Sequence, residues 1–155
     1  TLSLHDALPI LAALGRLAQA GVPAHVSIAP VIPAITDEFM ERILADAAER
    51  GVGSASWIML RLPHEVAPLF REWLALHYPD RADKVMAIVR SVRQGRDNDP
   101  SFFSRMQPGG TWAELFRARF RLACRRLGLN RQRETLRLDC AQFRPPARDG
   151  QLALF

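Results

Sequence analysis

Two short β-prone runs separated by helical segments constrain this chain most. The run Ser54-Ala-Ser-Trp-Ile-Met-Leu60 is nearly continuous in apolar residues and no longer than a strand. Gly51 and Gly53 precede it and Leu62-Pro63 closes it. Such a run is expected of a parallel strand buried on both faces. The other run, His25-Val-Ser-Ile-Ala29, stops at Pro30, and Pro30-Val-Ile-Pro33 reads as a loop because each proline biases its predecessor to extended geometry. Around these runs apolar residues recur at helical spacing. Leu11, Leu14, Leu17 and Ala18 lead to Gly21; Phe39, Ile43, Leu44 and Ala47 form a second face. Val66, Leu69, Phe70, Trp73 and Leu74 form a third, and Val85, Ile88, Val89 and Val92 a fourth. Residues 11–77 thus read α-β-α-β-α, an α/β arrangement with parallel strands and right-handed crossovers.

The second half differs. Gly95-Arg-Asp-Asn-Asp-Pro100 and Met106-Gln-Pro-Gly-Gly110 are turn-rich connectors. Between Trp112 and Leu127 a strong helix is predicted, with Thr111 as cap, Glu114 completing a capping box and Gly128 as the residue that ends it. At the earlier helix start, Thr36 is the expected cap, followed by Asp37 and Glu38 in the first turn.

A chain of 155 residues suits one core and is too short for a complete (β/α)₈ barrel, which needs about 250. No apolar run approaches the roughly 20 residues that span a bilayer, so no membrane partner is expected. Two cysteines, Cys124 and Cys140, are too few for a disulfide scaffold or a thiolate-only metal site, and a reduced, cytoplasmic chain is the expectation. The net charge of +5 is uneven: residues 1–77 carry 5 basic and 8 acidic side chains, residues 78–155 carry 16 and 8. All basic residues but Lys84 are arginine, whose planar fork suits phosphate or carboxylate.

Three places have chemical potential. In parallel α/β sheets ligands bind at the carboxyl ends of strands. Here these are Ala29-Pro-Val-Ile-Pro-Ala34, either a flat apolar wall for an aromatic ring or a plain stiff loop, and Leu60-Arg-Leu-Pro-His64. Arg61 emerges from the second either to meet an anion or to pair with Glu65 on the surface. The third place is the helix: Arg117, Arg121 and Arg125 share a stripe at i, i+4 and i+8, widened by Arg119 and Arg126. Leu115, Phe116, Phe120 and Leu127 are expected on the buried side. The stripe is either a phosphate-backbone contact, making nucleic acid a candidate partner, or a solvated basic face. His25 is expected to be a packed or hydrogen-bonded histidine. No zinc spacing, P-loop, dinucleotide fingerprint or nucleophile elbow occurs.

The first ten residues, Thr1-Leu-Ser-Leu-His-Asp-Ala-Leu-Pro-Ile10, back-translate in one frame into a common short-read sequencing adapter. Residues 1–10 are therefore expected to be a non-native segment fused to a truncated reading frame, and His5 and Asp6 receive no role. Residues 11–94 are expected to be one unit and 95–155 an extension.

Three stretches carry a family resemblance. They are Gly21-Val-Pro-Ala-His-Val-Ser-Ile-Ala-Pro-Val-Ile-Pro-Ala-Ile-Thr-Asp37; Leu60-Arg-Leu-Pro-His-Glu-Val66 running into Phe70-Arg-Glu-Trp73; and Arg119-Phe-Arg-Leu-Ala-Cys-Arg-Arg-Leu-Gly-Leu-Asn130 with Phe143-Arg-Pro-Pro and Asp149-Gly-Gln-Leu-Ala-Leu-Phe155. In these the chain resembles the C-terminal portion of radical S-adenosylmethionine (SAM) proteins similar to spore photoproduct lyase, the DNA repair photolyase-like group. The resemblance implies the last two strands of a partial (β/α)₆ barrel, followed by a mostly helical, basic extension. It implies a parent enzyme that cleaves SAM reductively at a 4Fe–4S cluster, with nucleic acid lesions as the candidate substrate, and a missing N-terminal part of the same barrel as partner. The family's G-x-I-x-G-x-x-E-like motif falls on Pro30, Ile32, Ala34 and Asp37; only Ile32 matches outright, and both glycines are replaced. Ile32 and Ala34, with Leu60 and Arg61 from the last strand, are the implied contacts to the SAM adenine. The C-x₃-C-x₂-C loop that holds the cluster is absent from these residues. Neither cluster nor cofactor is therefore expected on this polypeptide alone, and radical chemistry is not expected of it.

Overall fold

The computed structural model describes residues 4–131 and residue 141. Cys140 and the stretches from Phe143 and from Asp149 lie outside the described residues.

The chain forms a mixed α/β unit. Among the described residues there are five α-helices, α1 (Leu4–Gln19), α2 (Met40–Ala48), α3 (Val66–His77), α4 (Ala82–Ser91) and α5 (Gly110–Leu127), and two strands, β1 (His25–Val31) and β2 (Ser54–Met59). Short 3₁₀ turns, Asp37–Phe39 and Pro79–Arg81, lead into α2 and α4. Helix α1 starts well before the Leu11 expected from periodicity and takes Pro9 into its body.

The strands pair in parallel, with His25 opposite Ser54, Val26 opposite Ala55, Ser27 opposite Ser56 and Ile28 opposite Trp57. Next in register are Val31 and Met59, so β1 holds one residue more than β2 across this step. The extra residue falls at Ala29-Pro30. A proline has no N–H to give a ladder, so a bulge is where a strand tolerates one. Strand β1 therefore continues through Pro30, where the sequence predicts a loop, and Leu60 N–H adds a bond to the Val31 carbonyl at 3.0 Å.

One face of the sheet is covered. Ile28, Val31 and Ala55 pack there with Met40 and Leu44 of α2 and with Phe116, Phe120, Ala123 and Cys124 of α5. A second cluster joins Met59, Leu60, Leu62 and Leu74 to Val85, Met86, Val89 and Val92 around α4. Trp57 and Trp112 touch both clusters, and Phe116 meets the two rings at centroid distances of 4.7 and 5.3 Å.

No element among the described residues covers the opposite face, which corrects the expectation of a doubly buried β2. The cause is in the run itself: Ser54 and Ser56 alternate with Ala55 and Trp57, and period-two alternation sends them to the other side. Several helices also bury a face other than the one expected. In α2 the buried residues are Met40, Leu44 and Ala47, while Phe39 and Ile43 are exposed. In α3 only Leu74 is fully buried and Leu69 is 60% exposed, because its main neighbours are α4 and the 3₁₀ turn Pro79–Arg81 that leads into it. In α5 Leu115 is 62% exposed and Leu127 is also outside; the inner face is Ala113, Phe116, Phe120, Ala123 and Cys124. Gly128 ends α5 at φ 73°, where a side chain would be strained. The cap at its start is Gly109, not Thr111, and no side chain caps it.

Candidate functional site at the strand ends

At the carboxyl end of β1 the chain turns sharply. Ile32 N–H donates to Thr36 Oγ1 at 2.8 Å, and Thr36 N–H donates to the Ile32 carbonyl at 2.9 Å. Thr36 stands at the N-cap position predicted for it, ahead of Asp37–Phe39, but its side chain ties the loop and makes no cap bond. Ala34 sits at φ 59° in the left-handed region, and its carbonyl accepts from Arg81 Nη1 at 3.0 Å. Ile32 and Ala34 are half-buried against the same apolar cluster that contains Leu60. Three of the residues expected from the sequence therefore meet at one end of the sheet, and Arg61 follows Leu60 directly.

Arg61 does not form an ion pair with Glu65; among the described residues its Nη1 is directed to the Met106 sulfur at 4.0 Å. Beside it is Arg93, which the sequence did not single out. Arg93 is 5% exposed. Its Nη2 donates to the Leu60 carbonyl at 2.5 Å and its Nη1 to the Arg105 carbonyl at 3.3 Å. Burial pulls its pKa below the usual guanidinium range and the charge of Arg61 adds to this, while Asp99 opposes it. The buried Nε atoms of Arg61, Arg93 and Arg105 have no hydrogen-bond partner among the described residues.

The open face of the sheet holds a polar group that sequence reasoning also missed as a unit. His25 Nδ1 lies 2.9 Å from Ser54 Oγ and its Nε2 lies 2.8 Å from Ser56 Oγ. Ser27 Oγ is 3.4 Å from Ser56 Oγ. The available signal was the paired spacing, His25-x-Ser27 against Ser54-x-Ser56, on two strands already expected to be neighbours.

The arginines of α5 divide. Arg117 donates to the Pro108 carbonyl. With Arg121 and Phe120 it lines a cavity of about 300 Å³ along Ala55, Ser56 and Trp57. Arg125 and Arg126 are exposed. Arg119 does not widen the basic face: it makes a two-pronged ion pair with Glu41 at 2.8 and 2.9 Å and donates to the Asp37 carbonyl, so it joins α5 to α2. The α5 stripe and the strand-end residues form separate places, not one site.

Cys124 is buried, and burial pushes its thiol up while a contact from Asn130 Nδ2 at 3.7 Å opposes the shift. Among the described residues no three His, Cys, Asp or Glu side chains are gathered for a metal ion, and no helix is long and apolar enough to cross a membrane. Comparisons of the chain with protein-family models, with curated proteins and with solved structures find no match.

Proposed function

We propose that this chain is the C-terminal portion of a radical SAM enzyme similar to spore photoproduct lyase, with β1 and β2 as the last two strands of a partial (β/α)₆ barrel. The observation that carries this reading is the two-sided character of the sheet. Helices cover one face, while the other is open and carries His25, Ser27, Ser54 and Ser56. In a (β/α) barrel the outward face of each strand meets helices and the inward face meets neighbouring strands or ligand. Ala34 adds support: it occupies a left-handed conformation that favours glycine, at the position where the family's motif has one.

The residues present do not fit an iron–sulfur cluster. The whole sequence has two cysteines, and the described one, Cys124, is on the buried face of α5 beside Asn130. Cluster ligands therefore have to come from outside these 155 residues. The part of this chain is to bind and orient. Ile32 and Ala34 offer an apolar wall at the strand end, and the His25–serine group offers hydroxyl and imidazole contacts to a polar ligand on the open face. Extending the reading frame upstream in the source DNA tests this. A C-x₃-C-x₂-C loop is expected within about 250 residues, the scale of a barrel. A continuous upstream frame of that length without one overturns the proposal.

A second reading is favoured by one observation: Arg121, Arg125 and Arg126 are exposed and form no ion pair among the described residues. They would contact the phosphate backbone of a nucleic acid. A plot of log K against log salt for DNA should then lose roughly one unit of slope per Arg→Gln change. A flat plot for the unchanged protein removes phosphate contacts from the account.

A further inference from the structure

We propose that the pocket beneath the α4–α5 connector is a binding site for a compact phosphate group, held by Arg93 and Arg96 with the hydroxyl of Ser101. The pocket measures about 290 Å³ and is lined by Arg93, Arg96, Asp99, Ser101, Ser104 and Gln107. That is at the small end of ligand cavities, with room for a phosphate and a small group attached to it.

Charge is the main argument. Buried guanidinium groups are normally paired, because an unpaired buried charge is costly. Here Arg93, which lines the pocket, and Arg61 and Arg105 each keep a buried Nε without a partner among the described residues. Arg61 and Arg93 are close enough to repel each other. Of the acids nearby, Asp99 alone faces Arg93 and offsets part of this charge. Asp97 is taken by Arg71 and by Arg90, the latter at 2.8 Å. Asp99 is engaged by the Ser101 N–H at 2.9 Å and the Ser104 hydroxyl at 2.6 Å. One carboxylate against Arg61, Arg93 and Arg96 leaves the group with a surplus of positive charge that an anion would neutralise. Arginine's planar fork is suited to a phosphate, and the second residue, Arg96, is exposed at the pocket and faces Asp99. The site uses only this chain and stands independently of the barrel reading.

The test is calorimetry on the 155-residue chain with inorganic phosphate, against chloride at matched ionic strength. Saturable binding of phosphate is expected. Arg96→Gln, on an exposed side chain, should weaken it by about tenfold, the scale of one charge-assisted hydrogen bond. Asp99→Asn, which removes the opposing charge while keeping an acceptor for Ser101, should tighten it. Arg42→Gln, on the exposed side of α2, should change nothing. Glycerol phosphate forms a second arm: tighter binding than inorganic phosphate assigns the site to a phosphorylated ligand, equal binding to the free ion. Phosphate behaving like chloride, Arg96→Gln binding as well as the unchanged chain, or Asp99→Asn binding more weakly would each overturn the proposal.

Discussion

The Asn130 side chain clasps the backbone of Ala55 in the manner of a third strand. Its Oδ1 accepts from Ala55 N–H at 2.9 Å and its Nδ2 donates to the Ala55 carbonyl at 3.0 Å, while Asn130 N–H reaches the Gly53 carbonyl at 2.9 Å. The outer edge of β2 is thus paired at its start by a single residue beyond the end of α5. Asn130 lies at φ 62°, which asparagine tolerates better than most residues. Asn130→Gly keeps that backbone and removes only the carboxamide. It should cost about 1–3 kcal/mol by leaving two backbone groups unpaired. Urea denaturation measures it; an unchanged midpoint would mean the clasp contributes nothing.

Phe116 is the largest fully buried side chain and is held between Trp57 and Trp112. Phe116→Ala should destabilise by about 3–5 kcal/mol, since two large rings cannot collapse into the space left. A loss below about 1 kcal/mol would place the centre of the core elsewhere.

Ala34 at φ 59° bears the opposite expectation. A left-handed non-glycine residue costs about 1–2 kcal/mol, and glycine costs about 0.5–1 kcal/mol in unfolded-chain entropy, so Ala34→Gly should stabilise by about 0.5 kcal/mol. The readout is a small rise in thermal midpoint. A fall would show that the methyl group's packing outweighs the backbone strain.

The Arg119–Glu41 pair joins α5 to α2 but both side chains are nearly half exposed. The hydrogen bond to Glu41 holds the Arg119 guanidinium above its usual range. Solvent screens such pairs, so a double-mutant cycle with Arg119→Ala and Glu41→Ala should give a coupling below about 1 kcal/mol that shrinks in salt. A coupling that survives high salt would contradict this.

Asp99 supplies a pH dependence. The Ser104 hydroxyl and, next, the Ser101 N–H hold its carboxyl below the usual carboxylate range. Because the folded value is the lower one, the associated stability is fully present above the ordinary carboxylate pKa and is lost as pH falls through the folded value. Ser104→Ala should move the Asp99 titration upward toward the ordinary range. An NMR titration of the side-chain carboxyl reads this directly, and an unmoved titration would refute the assignment.

Much of the local structure was legible in the residues. Strand–helix alternation anticipated a parallel pair, helical spacing anticipated α2 to α5, and Gly128 marked the end of α5. Ile32, Ala34 and Leu60 were expected at one sheet end and are found in one cluster. The buried faces were less legible. Phe39 and Ile43 fit a helical stripe as well as Met40 and Leu44 do, and only the position of α5 decides between them. Arg119 looked like part of a basic face because Glu41, 78 residues earlier, is invisible to local spacing.

By itself the sequence determined element types, their order, the charge asymmetry and the absence of a three-cysteine loop, because these depend on near neighbours and on counting. Tertiary structure alone decided that Asn130 pairs the edge of β2 across 75 residues, that His25 stands between two serines, and that Arg93 is buried under Leu60. Those outcomes depend on which surfaces meet, and contacts between distant segments leave no periodic trace along the chain.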